Sequence, residues 1–592
     1  MQQLKILEQI QADINFPKDL KRLSLEDLDL LCNDVRKTII QVLSKNPGHF
    51  SSSLGAVELA VGIHYVFSTP EDKLIWDVGH QAYAHKILTG RQARFNSIRQ
   101  KGGLSGFPKM SESEFDSFGT GHSSTSLSAI LGMATAAKLD NKLSQHIAVI
   151  GDGALTGGMA FEALNIAAAS GANVLIIIND NNMSIDDNVG ALQEHLNTIS
   201  TKETTLFENL NIPYYRAING NEISEVIAAL EEQKEVFGVR VLHCKTNKGY
   251  GYFPAEIGNA TTWHAPGKFD AESGKREGSS STYPKKYQTI FGETLVELAK
   301  ENNHVVAITP AMLSGSSLKE MKKIYPERVF DVGIAEQHAV TFSAGLAANG
   351  KTPYCVIYSS FLQRGYDQLI HDVALQNLPV IFCIDRAGLV GSDGATHHGA
   401  FDIAFLRCIP NLTILSPINE QELANMLYTA QSWKSGPIAI RYPRGKGVMP
   451  SAIQKPYKLE IGKAKVLRTG GNIAVLSIGA IGNEVSKALS MLAEEAIYVS
   501  HYDMQSIKPL DKELLTTIFN EYSSIITIED GIISGGFGSA ILEFKNQHEL
   551  TSSIKILGLP DHFIEHGTQK ELYQELGLDS SGIYKTIKVE LR

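Results

Sequence analysis

One stretch of the chain runs from an apolar segment through a glycine-rich turn into a helical pattern. Residues 146–158 read HIAVIGDGALTGG, and the helical pattern continues from Met159 to Ala169. An apolar run without polar alternation is typical of a parallel strand that is buried on both faces. Glycines at such a turn let a phosphate approach the backbone, and the following helix N-terminus offers free N–H groups. The stretch therefore predicts an α/β fold with an anion site at this turn.

A second apolar run ends in a polar turn of matching kind. Asn173 to Asn179 predicts a strand, and Asp180-Asn181-Asn182 follows it. Asn181 lies 29 positions after Asp152 (181 − 152), which suits one β-α-β unit and makes the two strand ends neighbours. Asp152 is then placed to bind a hard cation beside a diphosphate. Either motif alone is more simply a turn or a helix cap, but the pair favours a diphosphate-metal site.

Two common nucleotide-binding motifs are missing from this region. The turn carries no G-K-[ST], which excludes a P-loop, and no G-x-G-x-x-G, which excludes the dinucleotide fingerprint.

The same alternation of strand, turn and helix continues along the chain. Further strand-like runs are Pro379–Asp385, Asn472–Ile478 and Ser524–Ile528. This order predicts doubly wound α/β domains with parallel sheets. Two stretches rich in Gly, Ser or Pro, Ala271–Tyr283 and Pro443–Lys455, separate the blocks. We therefore expect three domains, at residues 1–280, 285–450 and 455–592.

Composition narrows the class of protein. At 592 residues and 64.6 kDa, with 20% charged residues, the chain has the composition of an ordinary globular protein with several domains. It has no signal-peptide pattern, and its longest apolar runs are far shorter than the ~20 residues that cross a bilayer, so we expect a cytoplasmic protein without membrane contact. Five cysteines without a C-x-x-C pair argue against disulfides and structural zinc.

The net charge of −10 argues against nucleic-acid binding. It also means that an anionic substrate needs local arginines, because the overall field repels it.

Several motifs carry a resemblance to known families. Gly151-Asp152-Gly153 with Asn181 resembles the diphosphate-Mg²⁺ motif of thiamine-diphosphate enzymes, in which the metal also takes a backbone carbonyl two residues later, here that of Met183. Other segments resemble the 1-deoxy-D-xylulose-5-phosphate synthase family over nearly the whole chain and in one order. They are GHFSSSLG (48–55), WDVGHQAY (76–83), GHSS (121–124), DVGIAEQHA (331–339), FLQR (361–364), THHGAFD (396–402) and RYPRG (441–445).

The resemblance implies a fold, a reaction and a set of cofactors. The fold is three transketolase-like α/β domains: a diphosphate-binding, a pyrimidine-binding and a smaller C-terminal domain. The reaction joins pyruvate to D-glyceraldehyde 3-phosphate and releases CO₂ and 1-deoxy-D-xylulose 5-phosphate, which feeds isoprenoid, thiamine and pyridoxal synthesis. Thiamine diphosphate and Mg²⁺ are the implied cofactors, and the implied assembly is a homodimer.

It also implies roles for single residues. The cofactor contacts are His80, Gly121, His122, Ser123, Gly153, Ala154, Asn181, Tyr252 and Glu336, with Phe361 as a candidate to stack on the pyrimidine or an ordinary core aromatic. The catalytic candidates besides Glu336 are His49, His264 and His397, which would handle substrate oxygens, since imidazoles exchange protons near pH 7. The substrate phosphate would be held by Tyr358, Arg386 and Arg444.

Glu336 has a chemical reason of its own. The cofactor's pyrimidine needs a carboxyl group in a poorly solvated pocket, where burial raises the carboxyl pKa and lets it share a proton. Glu336 lies among small and apolar residues at a presumed strand-to-helix turn. Taken alone, a glutamate favoured by a helix dipole explains it as well. Beside the metal motif we expect the catalytic role, with the diphosphate on the first block and the pyrimidine on the second.

Some features depart from the pattern or leave alternatives open. The segment Val189–Cys244 is shorter than in most of the family, by nature or by engineering, which leaves any lid there in question. Transketolase proper, which takes its two-carbon unit from a ketose phosphate, remains an alternative. A regulatory protein that has lost catalysis is a second, although intact Asp152, Asn181 and Glu336 argue against it. In the C-terminal block, the glycine-rich segments Gly479–Gly482 and Gly535–Gly538 look like weak phosphate-binding loops, but we expect them to be turns.

Overall fold

The computed structural model describes residues 14–183, 186, 188–201, 203–277 and 283–591. The chain divides into two compact units: residues 1–278 with 333–335, and residues 279–332 with 336–592. The predicted linker at 271–283 falls outside the described residues from 278 to 282. None of the helices in the described ranges combines the length and the apolar character that a membrane span requires.

Five parallel strands form the sheet of the first unit, in the order β1-β2-β3-β5-β4. Successive residues of β2 enter two different cores: Ile147 and Val149 pack on one side of the sheet, and Ala148 and Ile150 on the other. This two-sided burial is the reason for the unbroken apolar runs. The strands are β1 (Lys73–Trp76), β2 (His146–Gly151), β3 (Val174–Asp180), β4 (Tyr214–Asn219) and β5 (Val239–Lys245).

Helices cover both faces of this sheet. The longest, Leu25–Leu43, begins at the cap Ser24, whose side chain accepts a hydrogen bond from Asp27 N at 3.2 Å. The α-helices of the unit are Pro17–Leu20, Leu25–Leu43, Phe50–Gly55, Val57–Val66, Tyr83–Lys86, Ser126–Leu139, Gly158–Ser170, Ala191–Thr198, Leu206–Asn209, Ile223–Lys234, Phe253–Glu256 and Ala260–His264. Short 3₁₀ or π turns are Ile87–Arg91, Gln92–Ser97, Ala154–Thr156 and Ile199–Thr201.

The second unit contains two sheets. The seven-stranded sheet has the order β15-β10-β11-β9-β8-β6-β7, and the five-stranded sheet has the order β12-β14-β13-β16-β17. All pairs are parallel except β10 with β15 and β12 with β14. The strands are β6 (Val305–Thr309), β7 (Val329–Asp331), β8 (Thr352–Tyr358), β9 (Ile381–Ala387), β10 (Thr413–Leu415), β11 (Ile438–Pro443), β12 (Lys465–Arg468), β13 (Ile473–Ile478), β14 (Ser500–Asp503), β15 (Ser506–Lys508), β16 (Ser524–Ile532) and β17 (Ser553–Leu559).

Helices of the second unit pack on both of its sheets. The α-helices are Tyr287–Glu301, Lys319–Ile324, Glu336–Ala348, Ser359–Leu362, Tyr366–Gln368, Asp402–Arg407, Glu420–Ala430, Gly482–Glu494, Lys512–Glu521, Phe537–Gln547, Gln569–Glu575 and Ser580–Glu590. Short 3₁₀ or π turns are Pro326–Arg328, Gln363–Gly365, Leu369–Ala374 and Gly394–Thr396. The predicted doubly wound α/β class is confirmed in all three sheets.

The two sheets of this unit share one core. Ile384 of β9 and Leu476 of β13 belong to the same buried cluster. In addition β15, which follows residue 455, pairs antiparallel with β10 and completes the seven-stranded sheet. We expected separate domains at 285–450 and 455–592, and each range has a sheet of its own. The exact domain limits stay a prediction, since one strand crosses them.

The predicted linker at 443–455 lies against helix Glu420–Ala430. The Glu420 carboxylate accepts hydrogen bonds from Val448 N at 2.9 Å and from Met449 N at 3.0 Å. A Cβ on Gly447 would lie 1.9 Å from the Glu420 carboxyl carbon, so this position needs glycine. The segment is therefore fixed along the helix by backbone hydrogen bonds.

The glycine-rich turn at 535–538 is occupied by a protein carboxylate. Glu529 is buried and accepts hydrogen bonds from Phe537 N at 2.7 Å and Gly538 N at 2.9 Å. Because Glu529 caps the helix that follows, this turn offers no free N–H groups of Phe537 or Gly538 to a phosphate.

We predict that Gly62→Ala destabilises the first unit. Helix Val57–Val66 crosses helix Ile223–Lys234 at this glycine, and a Cβ here would lie 2.6 Å from Val226 Cγ1. Overpacking of about 1–3 kcal/mol should outweigh the roughly 1 kcal/mol that alanine gains over glycine in a helix. The check is the midpoint of thermal unfolding, which should fall.

The compensating variant is Gly62→Ala/Val226→Ala, which removes the methyl group that the new Cβ meets. Its loss of stability should be smaller than the sum of the two single losses. Additive losses would contradict the close contact.

Candidate active site

Two predicted cation ligands lie at neighbouring strand ends of the first unit. Gly151 of β2 is paired with Asn179 of β3, so Asp152 and Asn181 follow paired positions on adjacent strands. Asp152 is 2% exposed, and its Oδ1 accepts a hydrogen bond from Gly153 N at 3.0 Å. Asp152 Oδ2 and Asn181 Oδ1 are both buried, and neither has a hydrogen-bond partner among the described residues. Carboxylate and amide oxygens left in this way suit a hard cation such as Mg²⁺.

The chain turns sharply directly after Asn181. Asn182 has a φ of +62°, in the left-handed region that asparagine tolerates, and Met183 follows it. Among the described residues, no three His, Cys, Asp or Glu side chains come together in a group that could hold a metal. A cation here would therefore depend on one carboxylate, one amide and a main-chain oxygen, as the set Asp152, Asn181 and Met183 implies.

A buried chain of polar groups stands behind Asp152. His243 Nε2 donates to Asp180 Oδ2 at 2.8 Å, and Tyr214 Oη donates to His243 Nδ1 at 2.8 Å. Burial and the neighbouring Asp180 carboxylate raise the pKa of Asp152. Although burial works against it, the hydrogen bond from His243 lowers the pKa of Asp180. No sequence pattern had assigned a role to His243 or Tyr214, and Asp180 had been named only as part of the polar turn after β3.

The turn after Asp152 has the predicted form. Ala154–Thr156 makes a short 3₁₀ turn, and helix Gly158–Ser170 follows Gly157. Ser124 Oγ donates to Ala154 O at 2.6 Å. A Cβ on Gly157 would lie 2.2 Å from Ser124 Oγ, so only glycine permits this approach. The turn is thus held against the loop at 121–126.

That loop carries Gly121, His122 and Ser123, and Asp77 fixes it. The Asp77 carboxylate is fully buried and accepts hydrogen bonds from Ser124 N at 2.7 Å and Ser126 N at 3.0 Å. Asp77 directly follows β1, the edge strand beside β2. A quoted motif contained Asp77, but its role as a support needed the structure.

Three predicted histidines come together in the first unit. The ring centroids of His49 and His80 are 5.9 Å apart, those of His49 and His264 5.4 Å, and those of His80 and His264 5.9 Å. Burial and the Lys248 charge lower the pKa of His80 to about 3, so this imidazole is neutral at pH 7. The cluster thus places one neutral imidazole, that of His80, beside two further imidazole rings.

Tyr252 lies in an aromatic cluster beside these histidines. Its ring centroid is 5.5 Å from that of Phe50, 5.6 Å from that of Trp263 and 6.0 Å from that of Phe269. His49 precedes helix Phe50–Gly55, and helix Ala260–His264 ends at His264. Tyr252 therefore packs between the two helices that carry these histidines.

Lys248 is a further residue that the sequence analysis missed. Burial lowers the pKa of Lys248 to about 8, while the carboxylates of Asp152 and Asp186 oppose that shift. The residue follows β5, next to β3 in the sheet, so it lies at the same edge as the cation donors. The sequence pattern that could have identified Lys248 is the polar run Thr246-Asn247-Lys248 directly after a strand.

In the second unit, Glu336 begins a helix as predicted. β7 ends at Asp331 and helix Glu336–Ala348 starts at this glutamate, which is 5% exposed. Burial raises the pKa of Glu336, and the positive charge of Arg364 partly opposes the shift. Arg364 Nη1 lies 4.0 Å from Glu336 Oε2. Arg364, the last residue of the FLQR motif at 361–364, thus faces the glutamate.

Tyr358, Phe361, Arg386 and His397 form one cluster in this unit. The rings of Tyr358 and Phe361 stack at 5.4 Å, and Phe361 meets His397 edge-on at 5.6 Å. The Arg386 guanidinium lies 4.4 Å from the Tyr358 ring centroid. β9 extends to Ala387, so Arg386 lies inside the strand and not after it, at a φ of +59°.

Arg444 joins the same cluster. The charges of Arg386 and Arg444 both oppose the rise in the Tyr358 pKa that burial causes. Arg444 Nη1 pairs with Asp393 Oδ2 at 3.1 Å and donates to Val390 O at 2.8 Å. Tyr358 is the last residue of β8, Arg386 is the second-to-last residue of β9, and Arg444 directly follows β11. These three strands are adjacent in the sheet. Asp393 had not been singled out.

We predict that His80 does not titrate between pH 5 and 8. The pKa of His80 is about 3 in the folded protein and about 6.5 in the unfolded chain. Below about pH 6.5 only the unfolded chain binds a proton at this residue, so His80 destabilises the folded state increasingly as the pH falls from about 6.5 to about 3. The check is NMR of ¹³C-histidine-labelled protein, with the signal assigned by His80→Gln. A His80 resonance that titrates above pH 5 would rule out the neutral cluster.

Comparisons with known proteins cover the whole chain. The family profile described as 1-deoxy-D-xylulose-5-phosphate synthase matches residues 11–205. The transketolase pyrimidine-binding domain matches residues 284–448, and the transketolase C-terminal domain matches residues 462–583. These three matches follow the three predicted blocks in order.

Named relatives match from end to end. The 1-deoxy-D-xylulose-5-phosphate synthase of Parabacteroides distasonis is 50% identical, over 99% of this chain and 99% of the relative. Proteins of the same name from Cytophaga hutchinsonii and Porphyromonas gingivalis are each 49% identical, over 97% and 96% of both chains. The first alignment spans 627 positions against 592 residues here, so that relative contains residues that this chain lacks. This chain belongs to the 1-deoxy-D-xylulose-5-phosphate synthase family.

Proposed function

We propose that this chain joins pyruvate to D-glyceraldehyde 3-phosphate with release of CO₂, giving 1-deoxy-D-xylulose 5-phosphate. The observation that carries the proposal is the 50% identity over 99% of the chain to a protein of that activity by name. The reaction is the first step of the non-mevalonate isoprenoid route and also supplies thiamine and pyridoxal synthesis. The enzyme is a transferase of aldehyde or ketone residues.

The cofactors are thiamine diphosphate and Mg²⁺. When bound, thiamine diphosphate supplies a nucleophilic carbon and an electron sink for decarboxylation. Buried Asp152 Oδ2 and Asn181 Oδ1 support a cation ligand set of Asp152, Asn181 and the Met183 carbonyl. The cofactor-binding residues that we propose in the first unit are His80, Gly121, His122, Ser123, Gly153, Ala154, Asn181 and Tyr252, and those in the second unit are Glu336 and Phe361.

Glu336 shares a proton with a ring nitrogen of the pyrimidine. Because burial raises its pKa, the carboxyl group can hold a proton on an Oε atom and still release it. Arg364, 4.0 Å away, limits the rise and keeps the ionised form accessible. A carboxyl group with both forms in reach suits proton sharing with a ring nitrogen.

His49, His264 and His397 handle substrate oxygens, while His80 beside the first two contacts the cofactor. The neutral His80 can donate from one ring nitrogen without carrying a full charge into a buried site. His49 and His264, within 6 Å of His80 by ring centroid, are the groups that we assign to the pyruvate and aldehyde oxygens. His397 acts from the second unit, where Thr396 Oγ1 lies 2.8 Å from its Nδ1.

Arg386, Arg444 and Tyr358 hold the phosphate of the aldehyde. A phosphate dianion prefers planar, charged donors, and two guanidinium groups beside one phenol provide them. The Arg444 side chain is 40% exposed, so it remains accessible to a ligand from solvent.

We further propose that the enzyme works as a homodimer in the cytoplasm. Helix Gly158–Ser170 exposes three large apolar side chains, Met159 by 37%, Phe161 by 38% and Ile166 by 58%. Packing against a second copy of the chain would bury these side chains. Light scattering on the purified protein would give a single-chain mass if this assembly is wrong.

The reaction is tested by identifying the product from ¹³C-labelled pyruvate and D-glyceraldehyde 3-phosphate. We expect labelled CO₂ and 1-deoxy-D-xylulose 5-phosphate only when both substrates, thiamine diphosphate and Mg²⁺ are present. Glu336→Ala serves as the control and should lower turnover by at least about 10²-fold while the unfolding midpoint stays the same. Turnover of a ketose phosphate without CO₂ release would indicate transketolase chemistry instead, and a folded Glu336→Ala that keeps full activity would remove the role of Glu336.

We predict that Arg444→Ala raises KM for the aldehyde and leaves KM for pyruvate within about twofold. Loss of one charged partner of a phosphate costs roughly 1.5–3 kcal/mol, or about 10–100-fold in KM. Steady-state kinetics with each substrate varied in turn provides the measurement. Arg94→Ala, at an exposed arginine of the first unit, is the control and should change neither constant. Equal effects on both substrates would exclude a phosphate contact.

A further inference from the structure

The loop at 388–399 lies between the two arginines of the proposed phosphate site. It closes on itself, because Gly388 N donates to Gly399 O at 2.8 Å and Gly399 N donates to Gly388 O at 2.7 Å. Its closing end packs on Arg386, since a Cβ on Gly399 would lie 2.5 Å from Arg386 O. Arg444 Nη1 donates to Val390 O in the same loop at 2.8 Å. The loop thus contacts the backbone of Arg386 and the side chain of Arg444.

The C-terminal block holds the start of this loop through Asp530 of β16. The buried Asp530 carboxylate accepts from Leu389 N at 3.3 Å, and Tyr573 Oη donates to its Oδ2 at 2.5 Å. Gly388 has a φ of +75°, and a Cβ there would lie 1.8 Å from Asp530 Oδ2. Only glycine therefore lets the loop and the carboxylate come this close.

Gln569 connects the loop to the segment that carries the second arginine. Its Nε2 donates to Leu389 O at 2.6 Å and to Arg444 O at 3.3 Å. Gln569 is the first residue of helix Gln569–Glu575, and the cap Thr568 accepts from Glu571 N at 3.2 Å. The amide is thus presented from a capped helix start, so its two acceptors are held at a fixed separation.

We propose that Gln569 is a positioning residue that, with the Asp530–Tyr573 pair, sets the spacing of Arg386 and Arg444 and so determines the preference for a phosphorylated aldehyde. The inference rests on the proposed function. Two guanidinium groups bind one phosphate well only at the right separation, and small displacements of such partners weaken binding strongly. The C-terminal block then contributes to substrate selection without touching the substrate.

The test compares Gln569→Met with the wild type. Methionine keeps the length of the side chain and removes both hydrogen bonds. We expect the ratio of kcat/KM for D-glyceraldehyde 3-phosphate to kcat/KM for D-glyceraldehyde to fall about tenfold, as the loss of roughly 1.4 kcal/mol would give. KM for pyruvate should stay unchanged. Inorganic phosphate, used as a competitive inhibitor against the aldehyde, should show an inhibition constant about tenfold higher.

Two further variants complete the experiment. Gln574→Met makes the same change at an exposed position of the same helix and should leave the ratio as in the wild type. Tyr573→Phe removes only the hydroxyl group that holds Asp530 and should lower the ratio in the same direction, and it also serves if Gln569→Met does not fold.

The outcomes separate this inference from the proposed function. If the wild type forms no 1-deoxy-D-xylulose 5-phosphate, the proposed function fails. If the wild type forms it and both variants keep its selectivity and its phosphate inhibition constant, only the positioning role of Gln569 is overturned. Equal losses for both aldehydes with unchanged phosphate inhibition would overturn it as well, because a merely structural role predicts that result.

Discussion

Two oxygen atoms are buried at neighbouring strand ends without a hydrogen-bond donor, and the first unit is arranged around them. Leaving Asp152 Oδ2 and Asn181 Oδ1 in this state costs free energy that a folded protein normally avoids. A bound divalent cation would offset that cost, and the Asp180 carboxylate beside Asp152 adds to the negative charge that such a cation would meet. Lys248 lies within electrostatic range of the same carboxylate. Hydrogen bonds from Ser124 and Ser126 to Asp77 hold the loop at 121–126, and the bond from Ser124 Oγ to Ala154 O ties it to the turn at 153–157.

The site residues of the second unit also lie at neighbouring strand ends of a parallel sheet. In a parallel sheet the carboxyl ends of adjacent strands meet at one edge, so side chains distant in sequence become neighbours. Tyr358, Arg386 and Arg444 are separated by tens of residues, yet they lie at the ends of β8, β9 and β11, which are adjacent in the sheet. In the C-terminal block, Asp530 then accepts a hydrogen bond from the loop between these arginines, and Gln569 donates one to it.

Much of this arrangement could be predicted from the sequence because it depends on local patterns. Unbroken apolar runs identified the parallel strands, and polar residues immediately after them identified Asp152 and Asn181; the expected family and α/β class are confirmed. Residues that act through long-range packing gave no such signal. His243 looks like part of an ordinary strand until Asp180 is seen beside it, and Gln569 lies 125 positions from Arg444. The roles of the single site residues stay predictions.

The pairing of β15 with β10 has a consequence for how this polypeptide may be cut. β10 is a short, buried strand whose outer edge is covered only by a segment that comes from the last third of the chain. A fragment that ends near residue 450 would leave its backbone N–H and C=O groups open to pairing with another molecule, which is the usual origin of edge-to-edge aggregation. Truncation for expression should therefore retain residues 506–508, or replace them with a charged or proline-containing cover.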